Sequence, residues 1–441
     1  MVPGHSTDTT GPYSGGMPSL TDDSARLSPA RVRLALLALA LGGFAIGATE
    51  FVAMGLLPNL AADLLPGLYA SSPDAANAQV GWLISAYALG VVVGAPTIAA
   101  AAARWPRKQL LLVLLACFTL ATIASALLPS FGLVLVARFV AALPHGAYFG
   151  IASLVAAELM GPGKRARGVA IVLSGLTIAN VIGVPSITWL GQVAGWRTAY
   201  LAVAALFAVT FVAVIVAVPF QKGNSGATMR SELRAFGRLQ VWLALLIGAV
   251  GFGGLFAVYT YVAPLVIEVT GLPALAVPLV LVVVGLGMTA GNFVGGALAD
   301  RSVRRTMYLF FGVMLAALLL LAFSAETLPG LLIGVFLVGG AASALSPTIQ
   351  TRLMDVAHDS QSIAAALNHS ALNLGNALGA YLGGVVVAAG LGYLAPIWVG
   401  LGLSVLGVAL AAVTFAIDRS RRRRGVDVPY GTQLISVISP N

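Results

Sequence analysis

The chain has 441 residues, of which 59% are hydrophobic and only 9% charged, with a formal net charge of +9 and a pI near 10.0. An average soluble domain carries roughly 25% charged residues, so this composition excludes a water-soluble globular fold. The basic residues gather between apolar runs rather than over a polar face, which argues against nucleic acid as a partner, and a single cysteine, Cys117, excludes an intramolecular disulfide or a cysteine-based zinc site.

Residues 1–33 are rich in Gly, Pro, Ser and Thr and poor in large apolar side chains; such a segment cannot bury enough surface to fold and is expected to be a disordered tail. Twelve apolar runs follow, at 34–57, 79–102, 108–128, 131–159, 168–190, 198–219, 240–267, 274–299, 306–325, 329–355, 363–389 and 394–417. The first, Leu34 to Leu57, is about 36 Å long at the helical rise, enough to cross a bilayer with some tilt. It is far longer than the apolar region of a signal peptide and has no cleavage pattern after it, so it is expected to remain as a span. Continuous rather than alternating apolar runs favour helices over a barrel, because a helix satisfies its own backbone in lipid. The expected fold is an all-α polytopic membrane protein with twelve transmembrane helices.

Of the 24 lysines and arginines, all but Arg138 and Arg197 fall in the N-terminal tail, after even-numbered runs, or at the end of run 10 (Arg352). Positive-inside topology then places both termini in the cytoplasm of a multi-pass protein of the cell inner (plasma) membrane. The loop 220–239 is the longest polar break, and it reads as a cytoplasmic linker between an N-terminal six-helix bundle, 34–219, and a C-terminal one, 240–417, with a basic cytoplasmic tail at 418–441. An internal repeat supports the division. An offset of 197 maps Arg104 to Arg301, Gly90 to Gly287, Gly94 to Gly291 and Glu158 to Asp355. Six spans separate the copies, so the two bundles are expected to be parallel pseudo-repeats, with a substrate site between them near the midplane.

The run Gly296-Ala-Leu-Ala-Asp300-Arg301-Ser-Val-Arg304-Arg305 is similar to the loop signature G-x-L-x-D-R-x-G-R-R of the major facilitator superfamily, with Val303 at the second glycine. The first copy departs further, with Ala99, Ala103 and Pro106 in place of Gly, Asp and Gly. The phrases TEFVAMGLLP, RFVAALPHGAYFG, GLTIANVIGVP and YTYVAP resemble the twelve-span drug:proton antiporter branch, chloramphenicol-efflux and arabinose-efflux-like members among them. The resemblance implies a major facilitator fold, in which every third helix is a scaffold, and a monomer as the default state. It also implies a cytoplasmic gate, in which Arg104 would pair with Glu158 and Arg301 with Asp355, while Asp300 could cap a helix start; bases that merely snorkel to the interface are the alternative.

Only Glu50 in span 1 and Arg138 in span 4 are fully charged residues well inside a span. An intramembrane acid costs on the order of 2.5 to 3.5 kcal/mol, so it faces protein or water and is by default a functional candidate. Gly43, Gly47 and Met54 share its helical face, leaving room for a ligand or a close helix. A carboxyl group in so apolar a setting can exist protonated, the state that proton exchange needs; the alternative is a carboxyl hydrogen-bonded into helix packing. The resemblance places Arg138 at the arginine implicated in proton transfer. Because a guanidinium does not deprotonate, its role would be to hold an acid's charge. His145 lies seven residues on, beyond a bend expected at Pro144, and either titrates or packs.

Span 5 carries Ser174, Thr177 and Asn180 ahead of Gly183-Val-Pro185, a sequence that bends for alternating access or is a plain kink. Phe252, Phe256 and Tyr259 form a stripe on span 7, Asn292 lies in span 8, and His369, Asn373 and Asn376 share a face of span 11. These residues are the expected cavity lining, packing being the alternative for the aromatic stripe. One acid, a few amides and several aromatics suit an amphipathic organic molecule better than a sugar or phosphate. The function expected is secondary active export of a drug-like small molecule in exchange for protons, by alternating access and with no cofactor. No P-loop suggests ATP use. A proton-linked symporter or facilitator is the alternative, and an intramembrane enzyme a distant one, since no paired acids or metal-binding set lies in a span.

Overall fold

A computed structural model describes residues 28–101, 105–161, 164–221, 237–357 and 361–423. The described residues form helices and no strand, and twelve segments are long and apolar enough to cross a membrane. In order these are Pro29–Gly55, Pro73–Ile98, Arg107–Leu127, Phe131–Met160, Arg167–Ala194, Trp196–Ala217, Leu239–Tyr259, Ala274–Ala299, Val303–Ser324, Leu328–Val356, Leu367–Ala388 and Ala395–Arg421, called spans 1 to 12 below. Twelve crossings return the chain to the side from which it started. That side is called the terminal side.

Local chemistry accounts for the interruptions. Span 4 is two helices, Phe131–Ala142 and His145–Met160, broken where Pro144 supplies no N–H to continue the ladder. Span 5 holds a π-helical turn at Ala179–Gly183 directly before Pro185, so the extra residue absorbs the proline's missing donor. Span 7 was expected to run to 267, but its helix stops at Tyr259; a short turn, Val262–Pro264, and a π-helical turn, Leu265–Val269, follow, with Pro264 as the interrupting residue. Between spans 1 and 2 lie two short helices, Leu57–Leu64 and Pro66–Ser71, each with a proline in its first turn, which periodicity alone did not reveal.

The repeat is visible as matched helix contacts. A β-carbon added at Gly90 would stand 2.4 Å from the Phe139 carbonyl oxygen, and one at Gly287 would stand 2.2 Å from that of Phe336. The next turn repeats this, with Gly94 against the Leu143 carbonyl and Gly291 against that of Gly340. In both pairs glycine and neighbour are displaced by the same 197 positions found in the sequence (336 − 139 and 340 − 143). Span 2 lies on span 4 as span 8 lies on span 10, because only glycine permits so close an approach.

Large apolar side chains point outward along the spans, as at Val212 (58% exposed), Phe323 (79%) and Val413 (51%), on spans 6, 9 and 12. In lipid this costs nothing. Among the described residues, three hydrogen bonds cross where the first six spans meet the last six: Asn77 Nδ2 donates to Tyr393 Oη at 2.7 Å, Ser85 Oγ to the Ala377 carbonyl at 3.3 Å, and Gln192 Nε2 to the Ala274 carbonyl at 2.8 Å. All three lie toward the side away from the termini. Burial pushes the Tyr393 hydroxyl, in the loop before span 12, above its ordinary range, so that it stays protonated there. Arg197, one of the two bases outside the positive-inside pattern, is on this far side as well; it donates to Asp63 Oδ2 at 2.9 Å and to the carbonyl oxygens of Ala126 and Leu128.

Candidate functional site

Glu50 sits about six turns along span 1, and the small residues on the same face permit close packing there: Gly43 and Gly47 let span 5 approach, with Val172, Leu176 and Ala179 within contact of any added β-carbon. Only 5% of Glu50 is exposed. The Asn376 side chain of span 11 lies within interaction range of the acid, as do Arg138, Tyr87 and Tyr259. The acid of the first half therefore lies near an amide of the second.

Arg138 is fully buried, but the ion pairs among the described residues do not include Glu50 with Arg138. Its Nη1 donates instead to Thr49 Oγ1 at 3.2 Å, the residue beside the acid, while Nε and Nη2 have no partner. Tyrosine rings hold the cation. The guanidinium carbon is 4.3 Å from the ring centroid of Tyr87 and 5.4 Å from that of Tyr200. Such contacts compensate part of the desolvation of a buried cation. The Tyr87 hydroxyl then reaches His145 Nδ1 at 3.3 Å. A polar chain thus runs from Thr49 through Arg138 and Tyr87 to His145, joined across the break in span 4.

The chain continues toward the second half through rings. His145 and His369 have centroids 6.2 Å apart, and Phe149 lies flat on His369 at 5.4 Å with a 3° interplanar angle. Nearer the far side, Phe51 stacks on Phe256 at 6.3 Å and tilts against Tyr259 at 5.6 Å. The centre combines a titratable acid, a confined cation, two imidazoles and facing aromatic rings, contributed by both halves. Among the described residues no group of acids, histidines and cysteine is placed to hold a metal ion.

A family model described as Major Facilitator Superfamily matches residues 39–323 and 276–437, most of the chain. The chain belongs to the Major Facilitator Superfamily. It is 41% identical over 386 residues to the inner membrane transport protein YdhP of Escherichia coli K12, covering 87% of this chain and 96% of that protein. It is 34% identical, over the same shares, to a chloramphenicol resistance protein of Streptomyces lividans. The crystal structure of a D-xylose-proton symporter matches with a TM-score of 0.71 at 17% identity, covering 92% of this chain and all of that one, a likeness of fold. The protein is accordingly a multi-pass inner-membrane transporter of a small molecule, and not an enzyme.

Against that fold the remaining expected residues divide. Met54 is fully buried in the packed far side, and Asn180 is buried in the π-helical turn with its Oδ1 unpartnered, its backbone carbonyl pressed on Gly285 of span 8. Phe252 is buried in the second half, with its β-carbon against Gly375 of span 11. Asn373 Nδ2 donates to the His369 carbonyl one turn back, leaving its Oδ1 without a partner. Asn292 is exposed and is not brought to Glu50.

Glu158 accepts from Arg107 Nη1 at 2.5 Å; Arg104, its expected partner, lies outside the described residues. Arg301 is exposed. Ser302, not Asp300, caps the start of span 9, its Oγ accepting from the Arg305 N–H at 3.3 Å. A buried pair that spacing did not single out lies nearby: Arg352 Nη2 donates to Asp418 Oδ2 at 2.7 Å and to Gln240 Oε1 at 3.0 Å, tying spans 10, 12 and 7 together. Sequence reasoning also missed Thr49, Phe51, Tyr87 and Phe149. Thr49 and Phe51 flank the acid, and that adjacency was the available signal.

Proposed function

We propose that this transporter exports an amphipathic, drug-like small molecule from the cytoplasm in exchange for protons, with both termini cytoplasmic and Glu50 as the proton-carrying group. The observation that carries the reading is the burial of Glu50 beside a confined Arg138, with Asn376 of the second half nearby. Protonation of the acid changes the charge balance next to a cation with two unpartnered guanidinium nitrogens, at the junction that alternating access must open and close. His145 and His369 extend the polar path, and the rings of Phe51, Phe256 and Tyr259 offer flat apolar surface to an organic substrate.

The six-span units 34–219 and 240–417, joined by the linker 220–239, are the moving bodies in this reading, and the Arg107–Glu158 pair braces the terminal side of the first. One proton descending 100 mV releases roughly 2.3 kcal/mol, and each pH unit adds about 1.4, which supports on the order of hundredfold accumulation without ATP. The name of the Streptomyces relative supports an antibacterial drug as the first compound to try. A panel headed by chloramphenicol, tested for resistance in an efflux-deficient host, is expected to give at least one compound whose tolerance rises on expression. Equal tolerance across every amphipathic compound, with uptake of a sugar instead, would overturn the export reading.

A further inference from the structure

Spans 9 and 12 are antiparallel neighbours, and at their terminal-side ends they leave a groove of about 710 Å³. Its lining includes Arg304, Arg305, Tyr308 and Leu309 from span 9 and Phe415 and Arg419 from span 12. The spacing is that of single helical faces, 304 with 308 and 305 with 309 on one helix, 415 with 419 on the other. Each face therefore begins with arginine where the helix leaves the bilayer and continues with aromatic or aliphatic groups toward its interior. Tyr308 and Phe415 close the floor, their ring centroids 5.8 Å apart.

The charge of this groove is uncompensated. Arg304, Arg305 and Arg419 are all exposed, and none belongs to an ion pair among the described residues. Asp418, the acid adjacent to Arg419, is turned inward onto Arg352, with only 7% of its side chain exposed. Three guanidinium groups thus converge on one groove and repel one another. An anion with an apolar tail would relieve both features: the phosphate for the arginines, the hydrocarbon for the floor.

We propose that the groove binds an anionic phospholipid of the surrounding bilayer, its phosphate held by Arg304, Arg305 and Arg419 and an acyl chain lying along Leu309 and Phe415. A basic pocket between helices at the cytoplasmic interface is the setting in which such headgroups are held. A soluble anion would use the arginines and leave the apolar floor without an occupant.

The test uses the full-length protein, delipidated in detergent and titrated with phosphatidylglycerol or phosphatidylcholine, with bound lipid counted by native mass spectrometry. The wild-type protein is expected to retain one phosphatidylglycerol in preference to phosphatidylcholine. The combined substitution Arg304→Gln, Arg305→Gln and Arg419→Gln is expected to weaken that retention on the order of a hundredfold. Arg421→Gln with Arg423→Gln, outside the groove, should leave it unchanged. Equal retention of the two lipids, or an undiminished phosphatidylglycerol adduct in the triple variant, overturns the proposal, as does displacement of the lipid by an equal concentration of inorganic phosphate. Should the triple variant fail to purify as a single species, Arg419→Gln alone is expected to cost about tenfold, and no change there is equally decisive against it.

Discussion

At the scale of single residues, charge inside an apolar run was the legible signal. Glu50 and Arg138 stood out because each breaks a hydrophobic span, and both are buried at the junction of the halves. Their partners were not legible, because hydroxyls and aromatic rings are common in spans and only the tertiary packing selects Thr49, Tyr87 and Phe51 from among them. Spacing alone did not distinguish Phe252 from Asn292: the first is buried with its β-carbon against Gly375, and the second is exposed. The Tyr87 hydroxyl carries a prediction at this scale. Tyr87→Phe keeps the ring beneath Arg138 but removes the hydrogen bond to His145, so a loss of about 0.5–1.5 kcal/mol in thermal unfolding is expected. If the polar chain matters to turnover, transport should slow while substrate binding, measured by ligand-induced stabilisation, is retained; unchanged transport would remove Tyr87 from the path.

At the scale of helices, periodicity located the twelve spans, and proline located the break in span 4 and the π-helical turn of span 5. The short helices at Leu57–Leu64 and Pro66–Ser71 escaped because they carry too few residues for a period to register. The buried Arg352–Asp418 pair escaped for another reason: each residue lies near the terminal-side end of its helix, where a charge looks ordinary, and only packing closes water out. Removing one partner of a buried pair strands the other, at about 3–5 kcal/mol. Asp418→Asn is therefore expected to lower the thermal midpoint markedly in detergent, while Arg352→Met combined with Asp418→Leu should recover much of it. A single substitution as mild as a surface change would show that water reaches the pair.

At the scale of the whole molecule, the repeat was legible because glycines that allow close helix approach keep one register in both halves. The seal between the halves was not, since nothing local marks which side of the membrane is closed. Its hydrogen bonds at Asn77, Ser85 and Gln192 lie away from the termini, so a transport cycle must break them. With Cys117 replaced by Ala, Ser85→Cys and Ala377→Cys place two thiols across the seal, and oxidation is expected to stop transport until a reductant restores it. Full activity of the oxidised, cross-linked protein would mean that the far side need not open.

The central claim is that Glu50 carries the proton whose movement drives export. It is tested most directly in proteoliposomes holding an imposed proton gradient, with an internal pH dye reporting proton flux as a transported compound is added. Wild-type protein should move protons when substrate is supplied, and Glu50→Gln should abolish that flux while ligand-induced stabilisation persists. Substrate-driven proton flux in Glu50→Gln equal to that of the wild type would contradict the account.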